Sequence, residues 1–331
     1  MALLGFESKD EANLETLISD VLQSAAIEGE MLNPELVRSS IATKLGLEMS
    51  GILNTDRHID GMVAMMLDAT QNTNKVLNSE RLFGWHAALF PTGRSGMVAI
   101  ETGKWRSGEM QVVSGSMSRE VVHFRAPKPE VLEDEMTLFI DWYEKSIDLD
   151  PIIKAAVAHL WFITIHPFGD GNGRIARAIT DLQLSKADGV NQRFYSMSSQ
   201  INAAKKSYYQ ILEQTQKGNQ DITNWIVWFL NCLKNAIATS NIIMDKVIAK
   251  HQFWVNNNAL INNDRQRFML TSMLDSFYGN HTTTKWAKMT KCSQDTALRD
   301  ITDLVNKGIL VKAASGGRST HYELRFLTET L

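Results

Sequence analysis

The chain has 331 residues, 44% of them hydrophobic and 21% charged, a length that points to two domains, or to one large domain with an appendage. That much apolar material can bury a core, which excludes wholesale disorder. A formal net charge of −3 excludes a surface that is basic throughout, as binding nucleic acid or anionic lipid along the whole chain would require.

The first ten residues lack the basic and apolar regions of a signal peptide. The apolar run from Trp225 to Leu230 is far shorter than the roughly 20 residues that span a bilayer. Cys232 and Cys292 are too few for a disulfide framework or a four-ligand zinc site, which suits a reducing compartment. A cytoplasmic protein with no membrane partner is expected.

Leu14, Leu17, Ile18, Val21, Leu22 and Ala25 follow the i, i+3, i+4 spacing of an amphipathic helix, and Gly29 is its expected stop. Along the stripe 14, 18, 21, 25 the next position is Glu28. A carboxylate aimed at a core is costly unless it is paired. Spacing alone leaves two readings open: the side chain swings out to solvent from the last turn, or it meets a cation inside.

Gln111–Val113 and Val121–Phe124, joined through Ser114-Gly115-Ser116, read as a β-hairpin. Pro127 and Pro129 end it, and a helix is expected through Leu132, Met136, Phe139, Ile140 and Tyr143. Asp150-Pro151 reads as an N-cap followed by proline at the first helical position. The helix it opens, through Ile153, Ala156, Val157, Leu160, Trp161 and Thr164, is apolar on most sides, hence central, and stops at Pro167.

The next segment carries the chemistry: His166-Pro167-Phe168-Gly169-Asp170-Gly171-Asn172-Gly173-Arg174-Ile175-Ala176-Arg177. Its glycines permit positive φ and a close approach of backbone to a ligand. A glycine-rich turn feeding a helix N-terminus offers free N–H groups and the positive end of a dipole. Arg174 and Arg177 lie three apart on one side of the first turn, at the end where the dipole disfavours cations; a polyanion such as a triphosphate would account for them. Asp170 supplies a hard oxygen suited to a magnesium ion shared with phosphates. His166, at the rim of the loop, can take a proton from an attacking hydroxyl, and Phe168 is expected to turn inward. The glycine spacing, and a helix rather than a strand ahead of the loop, exclude a Walker A motif and a dinucleotide fingerprint.

The last part of the chain differs in charge. From Arg265 onward ten basic residues oppose six acidic ones, a balance of +4 against −7 for the remainder. A polar stretch, Asn256–Asp264, precedes the change and places a boundary near residue 262. Helices are expected over Arg265–Tyr278, over Thr283–Met289 and after Ser293, followed by a ribbon from Gly308–Val311 through Gly316-Gly317-Arg318 to His321–Leu324. That order resembles a winged helix-turn-helix, and its charge suits phosphate contacts, although many such domains bind protein or simply pack.

His166 to Arg177 resembles the Fic signature, H-P-F-x-[D/E]-G-N-G-R-x-x-R, at every fixed position. The resemblance extends from about residue 10 to 240 and takes in the hairpin before Pro127-Lys128-Pro129, similar to the family's flap. Ser24-Ala25-Ala26-Ile27-Glu28-Gly29 is similar to the motif [S/T]-x-x-x-E-[G/N] of Fic proteins with an N-terminal inhibitory helix. The resemblance implies a mainly α fold: a region with the inhibitory helix over 1–50, a Fic catalytic domain with its flap over 51–240, a linker helix over 241–262 and a winged helix over 263–331.

The activity it implies is transfer of AMP from ATP to Ser, Thr or Tyr hydroxyls of proteins, the chain itself included, with release of pyrophosphate. His166 would be the general base, and Asp170 would hold Mg²⁺ or Mn²⁺. Asn172, with the N–H groups of Gly171 and Gly173, would steady the α- and β-phosphates. Arg174 would meet the β-phosphate and Arg177 the γ-phosphate. Val121, Val122, His123 and Phe124 of the flap would dock the target by strand addition, and Tyr208 and Tyr209 resemble residues beside the adenine pocket. Glu28, with Ser24, would hold Arg177 and repress the enzyme; the same glutamate could instead serve removal of AMP. The competing reading is a DNA-binding regulator that senses nucleotide. The expected partners are ATP, a protein substrate, DNA or protein at the C-terminal domain, and a second copy of the chain in a homodimer.

Overall fold

Helix α1 (Phe6–Ile27) runs to the turn at Gly29, whose φ of +85° ends it. Helix α2 (Pro34–Leu45) begins where Asn33 accepts hydrogen bonds from the N–H groups of Glu35 and Leu36, and ends at Gly46 in the left-handed region. Asp56 caps α3 (Arg57–Gln71) in the same way, and Asn78 caps α4 (Ser79–Leu89). These features belong to a computed structural model that describes residues 6–46, 56–114, 121–189, 193–274, 281–313 and 320–325. The boundary expected at residues 50–51 lies outside the described residues, as do Gly115-Ser116, Phe277, Tyr278 and Gly316-Gly317-Arg318.

Two short antiparallel ribbons follow α4. The first pairs β1 (Arg94–Ser95) with β2 (Val98–Ala99). The second pairs β3 (Gln111–Ser114) with β4 (Val121–Arg125), with an irregularity in register between Val112 and Val113. Helix α5 (Leu132–Lys145) leads to α6 (Pro151–Ile165), where Asp150 accepts from the N–H groups of Ile152 and Ile153 and Pro151 takes the first turn. Helix α7 (Asn172–Asp188) packs back along α6, and both are largely buried. Helices α8 (Met197–Ala203) and α9 (Lys205–Gln216) complete the surround, with α8 packed against α1.

The chain divides into two compact units, one over residues 5–244 and the other over 245–331. Helix α10 (Thr223–Asn257) begins in the first unit and ends in the second. No glycine or proline interrupts residues 223–257, and α10 takes in residues 241–257 of the expected linker helix. The core of the first unit joins residues of α1 (Leu17, Val21, Ala25) to α3 (Met62, Met66), α6 (Ala155, Phe162) and α7 (Ile175, Ile179, Leu182).

The second unit holds α11 (Asp264–Leu274), α12 (Thr283–Met289) and α13 (Gln294–Asn306), then a ribbon of β5 (Leu310–Lys312) and β6 (Tyr322–Leu324). Its own core contains Phe253, Met269, Leu270, Trp286, Ile301, Leu304 and Leu324. Among the described residues, no helix is long and apolar enough to cross a membrane.

Candidate active site

The loop between α6 and α7 is built from its own sequence. His166 caps α6 in the left-handed region (φ +52°), a conformation that costs a non-glycine residue roughly 1–3 kcal/mol and needs support from its surroundings. Arg106 supplies that support. Its Nε donates to the His166 carbonyl at 2.8 Å, and its backbone N–H to the Pro167 carbonyl at 2.9 Å. Its two terminal nitrogens donate to the carbonyls of Gly108, at 2.7 Å, and Pro127, at 2.5 Å. One buried guanidinium thus ties the loop to the segments flanking the β3–β4 ribbon.

Phe168 is fully buried and stacks on His86, with ring centroids 4.1 Å apart. Asn172 uses both ends of its amide on the Phe168 peptide, accepting from its N–H at 2.9 Å and donating to its carbonyl at 2.8 Å. The contact with phosphate expected of the Asn172 side chain is thus preceded by another role, closing the loop on itself. Gly171 caps α7 at φ +81°, and a Cβ there would come within 2.9 Å of the Phe90 ring. No side chain caps this helix, so its first N–H groups are left to an anion.

The catalytic geometry centres on His166. Its Nδ1 lies 3.1 Å from the Ile163 carbonyl, which can only accept, so Nδ1 carries the proton and Nε2 keeps its lone pair. Burial lowers its pKa below the ordinary 6.5, with Arg106 adding to the effect and the Ile163 hydrogen bond opposing it. The ring is therefore neutral near pH 7, the state a general base requires.

Asp170 is half exposed. Its Oδ1 accepts from the Gly171 N–H at 2.5 Å, and its Oδ2 from the hydroxyl of Ser95 on β1. Among the described residues no three His, Cys, Asp or Glu side chains gather to hold a metal. A single carboxylate at a helix N-terminus fits a magnesium-type ion only if substrate oxygens complete its shell, as is usual for that cation.

The turn after α1 meets the two arginines of the signature. Glu28 pairs with Arg177, Oε1 to Nη2 at 2.7 Å, so the inward reading of Glu28 is the observed one. Arg177 also donates from Nε to the Ser24 hydroxyl at 2.8 Å and from Nη2 to the Ser24 carbonyl at 2.9 Å. Its buried Nη1 has no hydrogen-bond partner among the described residues. A Cβ on Gly173 would sit 2.1 Å from Glu28 Oε1, so only glycine lets the carboxylate lie against the loop. Lys205 and the Tyr209 hydroxyl, both from α9, donate to the carbonyls of Ala26 and Ile27 at the end of α1.

Arg174 is 5% exposed, lies 5.0 Å over the Phe90 ring, and meets Glu30 Oε2 at 3.2 Å and Asp170 Oδ1 at 3.7 Å. A cavity of about 720 Å³ opens here, lined by residues that include Glu28, Glu30, His58, Arg94, Asp170 and Arg174.

Two of the expected site side chains are already engaged within the fold. Tyr208 is 2% exposed and hydrogen-bonds His159 Nε2 at 2.8 Å. Tyr209 stays partly exposed beside the turn after α1. On the ribbon, His123 does not stand free for a target: its Nδ1 lies 2.8 Å from Glu213 on α9. Val113 and Val122 are exposed, and Phe124 is partly buried. The side chain of Val121 lies outside the described residues. Arg106, Ser95, Glu30 and His58 were absent from the sequence reading; each acts across the fold, without a local spacing that could reveal it.

The arrangement of buried helix, neutral histidine, glycine turn and arginine-bearing helix agrees with the comparisons. Residues 76–184 match the model of the Fic/DOC family, and residues 1–47 match a domain of unknown function, DUF4172. The chain is 28% identical over 235 residues to the protein adenylyltransferase Fic of Nematostella vectensis, covering 67% of this chain and 48% of that protein. It is 36% identical over 69 residues to the protein adenylyltransferase fic-1 of Caenorhabditis elegans, covering 20% and 14%. The chain thus spans less than half the length of these curated relatives.

Its fold is similar to that of a Fic family protein from Desulfovibrio desulfuricans G20, with a TM-score of 0.54 and 19% identity over 97% of this chain and 88% of that one. It is also similar to a Fic domain containing signaling protein from Bacteroides thetaiotaomicron, with a TM-score of 0.55 and 22% identity over 75% and 92%. Residues 76–184 of the chain thus form a Fic domain.

Proposed function

We propose that this Fic-domain protein is an autoinhibited adenylyltransferase that moves AMP from ATP to a Ser, Thr or Tyr hydroxyl of a protein. The observation that carries the reading is the pairing of Glu28 with Arg177 at the mouth of a loop whose histidine presents a free Nε2. In the reaction the target oxygen attacks the α-phosphorus, and the bond from that phosphorus to the bridging oxygen breaks. Pyrophosphate leaves, and His166 Nε2 takes the hydroxyl proton. Arg174 and Arg177 neutralise charge on the departing phosphates, and the N-terminus of α7 steadies the phosphate chain. Asp170 would hold the magnesium ion, which supplies further charge neutralisation when bound.

The β3–β4 ribbon, with Val113 and Val122 exposed, suits alignment of a target strand. Arg106 positions both the ribbon and His166. While Glu28 holds Arg177, the γ-phosphate lacks its partner, and a misplacement of about 1 Å costs on the order of 100-fold in rate. The same carboxylate, beside Gly173, would also serve a water in removing AMP.

ATP labelled on the α-phosphate tests the reading. Glu28→Gly is expected to incorporate on the order of 100-fold more label than wild type, and Glu28→Gly/His166→Ala almost none. Equal labelling by wild type and Glu28→Gly would remove the autoinhibition, and undiminished label without His166 would remove the base.

The second unit supports a winged helix. Its three helices precede a ribbon, and an isolated bridge between His281 and Tyr322 lies where a short first strand would pair. With the basic balance from Arg265 onward, this favours nucleic acid as its partner, a role compatible with transfer at the first unit. Steep loss of DNA retention with salt for the full chain is the corresponding test.

A further inference from the structure

Glu30 lies two residues beyond the inhibitory glutamate, outside the fixed positions of that motif. Its carboxylate bridges two cations: Oε2 meets Arg174 Nη1 at 3.2 Å, and Oε1 meets His58 Nε2 at 2.5 Å. The other nitrogen of His58 lies 3.0 Å from the Leu89 carbonyl. A carbonyl accepts and an ionised carboxylate accepts, so both ring nitrogens donate and His58 is an imidazolium. The hydrogen bond between them raises the pKa of His58 and lowers that of Glu30.

Both cations stand where helix dipoles disfavour them. His58 is in the first turn of α3 and Arg174 in the first turn of α7. Two helix N-termini, each bearing a cation, converge on one point of the cavity that also holds Asp170 and Arg94. The Arg174 side chain is 6% exposed, and its buried Nε has no hydrogen-bond partner among the described residues. The anion now at that point is a glutamate on a turn, its side chain one-third exposed. Such a group can be replaced by an anion that offers more acceptor oxygens.

We infer that His58 completes, with Arg174, a subsite for the β-phosphate of the nucleotide and for the pyrophosphate formed from it, and that Glu30 plugs this subsite in the resting chain. The inference rests on the adenylyltransferase reading and extends it. The turn after α1 then blocks both arginines of the signature, Glu28 at Arg177 and Glu30 at Arg174. Freeing the site requires both carboxylates to yield to phosphate oxygens, and His58 turns from a partner of the plug into a partner of the leaving group.

Calorimetric titration of the full chain with pyrophosphate, and separately with AMP, tests this. Glu30→Gln keeps the side chain's size and removes its charge, and pyrophosphate is expected to bind at least about tenfold more tightly, as freeing two charge-assisted hydrogen bonds predicts. Adding His58→Asn to Glu30→Gln should abolish that gain. AMP, which carries no β-phosphate, should bind all three proteins alike, and this also shows that the variants are folded. Unchanged pyrophosphate affinity in Glu30→Gln, a gain that survives His58→Asn, or an equal gain for AMP would each overturn the inference. Failure of the adenylyltransferase reading shows elsewhere, as absence of transferred label from Glu28→Gly, whatever pyrophosphate does.

Discussion

The loop from His166 to Arg177 and the turn from Glu28 to Glu30 face each other but are built differently. The loop is held by buried contacts that involve no carboxylate: Phe168 stacked on His86, Asn172 closing on the Phe168 peptide, and the Arg106 guanidinium on three carbonyls. The turn reaches the site through two carboxylates on partly exposed side chains, Glu28 on Arg177 and Glu30 on Arg174. The two arginines are buried and need an anion, while the carboxylates that now serve them are one-third exposed and can be replaced by another anion. On the proposed function, the difference makes the loop the lasting part of the site and the turn the replaceable one.

Breaking the permanent side should have the largest effect. Arg106→Ala leaves the carbonyls of His166, Gly108 and Pro127 without their guanidinium donor and frees His166 from its left-handed conformation. Transfer in a Glu28→Gly background is expected to fall on the order of 100-fold, with Arg106→Lys failing to restore it because one ammonium cannot reach all three acceptors. A loss below threefold would show that the loop holds its own shape.

A smaller effect is expected from pH. Burial keeps His166 below its ordinary value, so its basic form is already present at neutrality. The transfer rate of Glu28→Gly should rise with pH along a limb centred below pH 6.5 and be flat above it. A limb centred above 6.5 would mean a different base.

The smallest effect concerns the anchoring of α1 upstream of its turn. Asp20 on α1 and Asp181 on α7 share the buried guanidinium of Arg193. Burial, then the neighbouring Asp181, push the Asp20 carboxyl up to about 7. A carboxyl with a raised pKa in the folded protein binds its proton more tightly there than in the unfolded chain. Its contribution is present below about pH 4 and is lost as pH rises to about 7. Asp20→Asn should flatten that part of the thermal-stability profile; an unchanged slope between pH 4 and 7 would place the titration elsewhere.

What the sequence could convey follows the same division. The loop was legible because its glycines, carboxylate and arginines lie within twelve residues, and turn chemistry is local. Glu28 was ambiguous from its stripe alone and became specific only with the motif around it. The stretch from residue 31 to 110 gave no expected element or site residue, yet it supplies His58, Ser95 and Arg106. Helix α3 carries an apolar stripe, Ile59, Met62, Val63, Met66 and Leu67, but a stripe marks a helix and not what a histidine in its first turn will meet. Pairings such as Glu30 with His58 and Arg174 join positions far apart in the chain, where no spacing rule operates. Adjacent tyrosines on one helix point to different sides, Tyr208 to the core and Tyr209 to the turn, a distinction their adjacency in sequence does not carry.

The central claim is that the loop transfers an adenylyl group once the turn releases it. Glu28→Gly protein incubated in parallel with ATP labelled on the α-phosphate and ATP labelled on the γ-phosphate measures this directly. The account predicts covalent label from the α-position alone, with the γ-label recovered in pyrophosphate; label from the γ-position, or none from either, would contradict it.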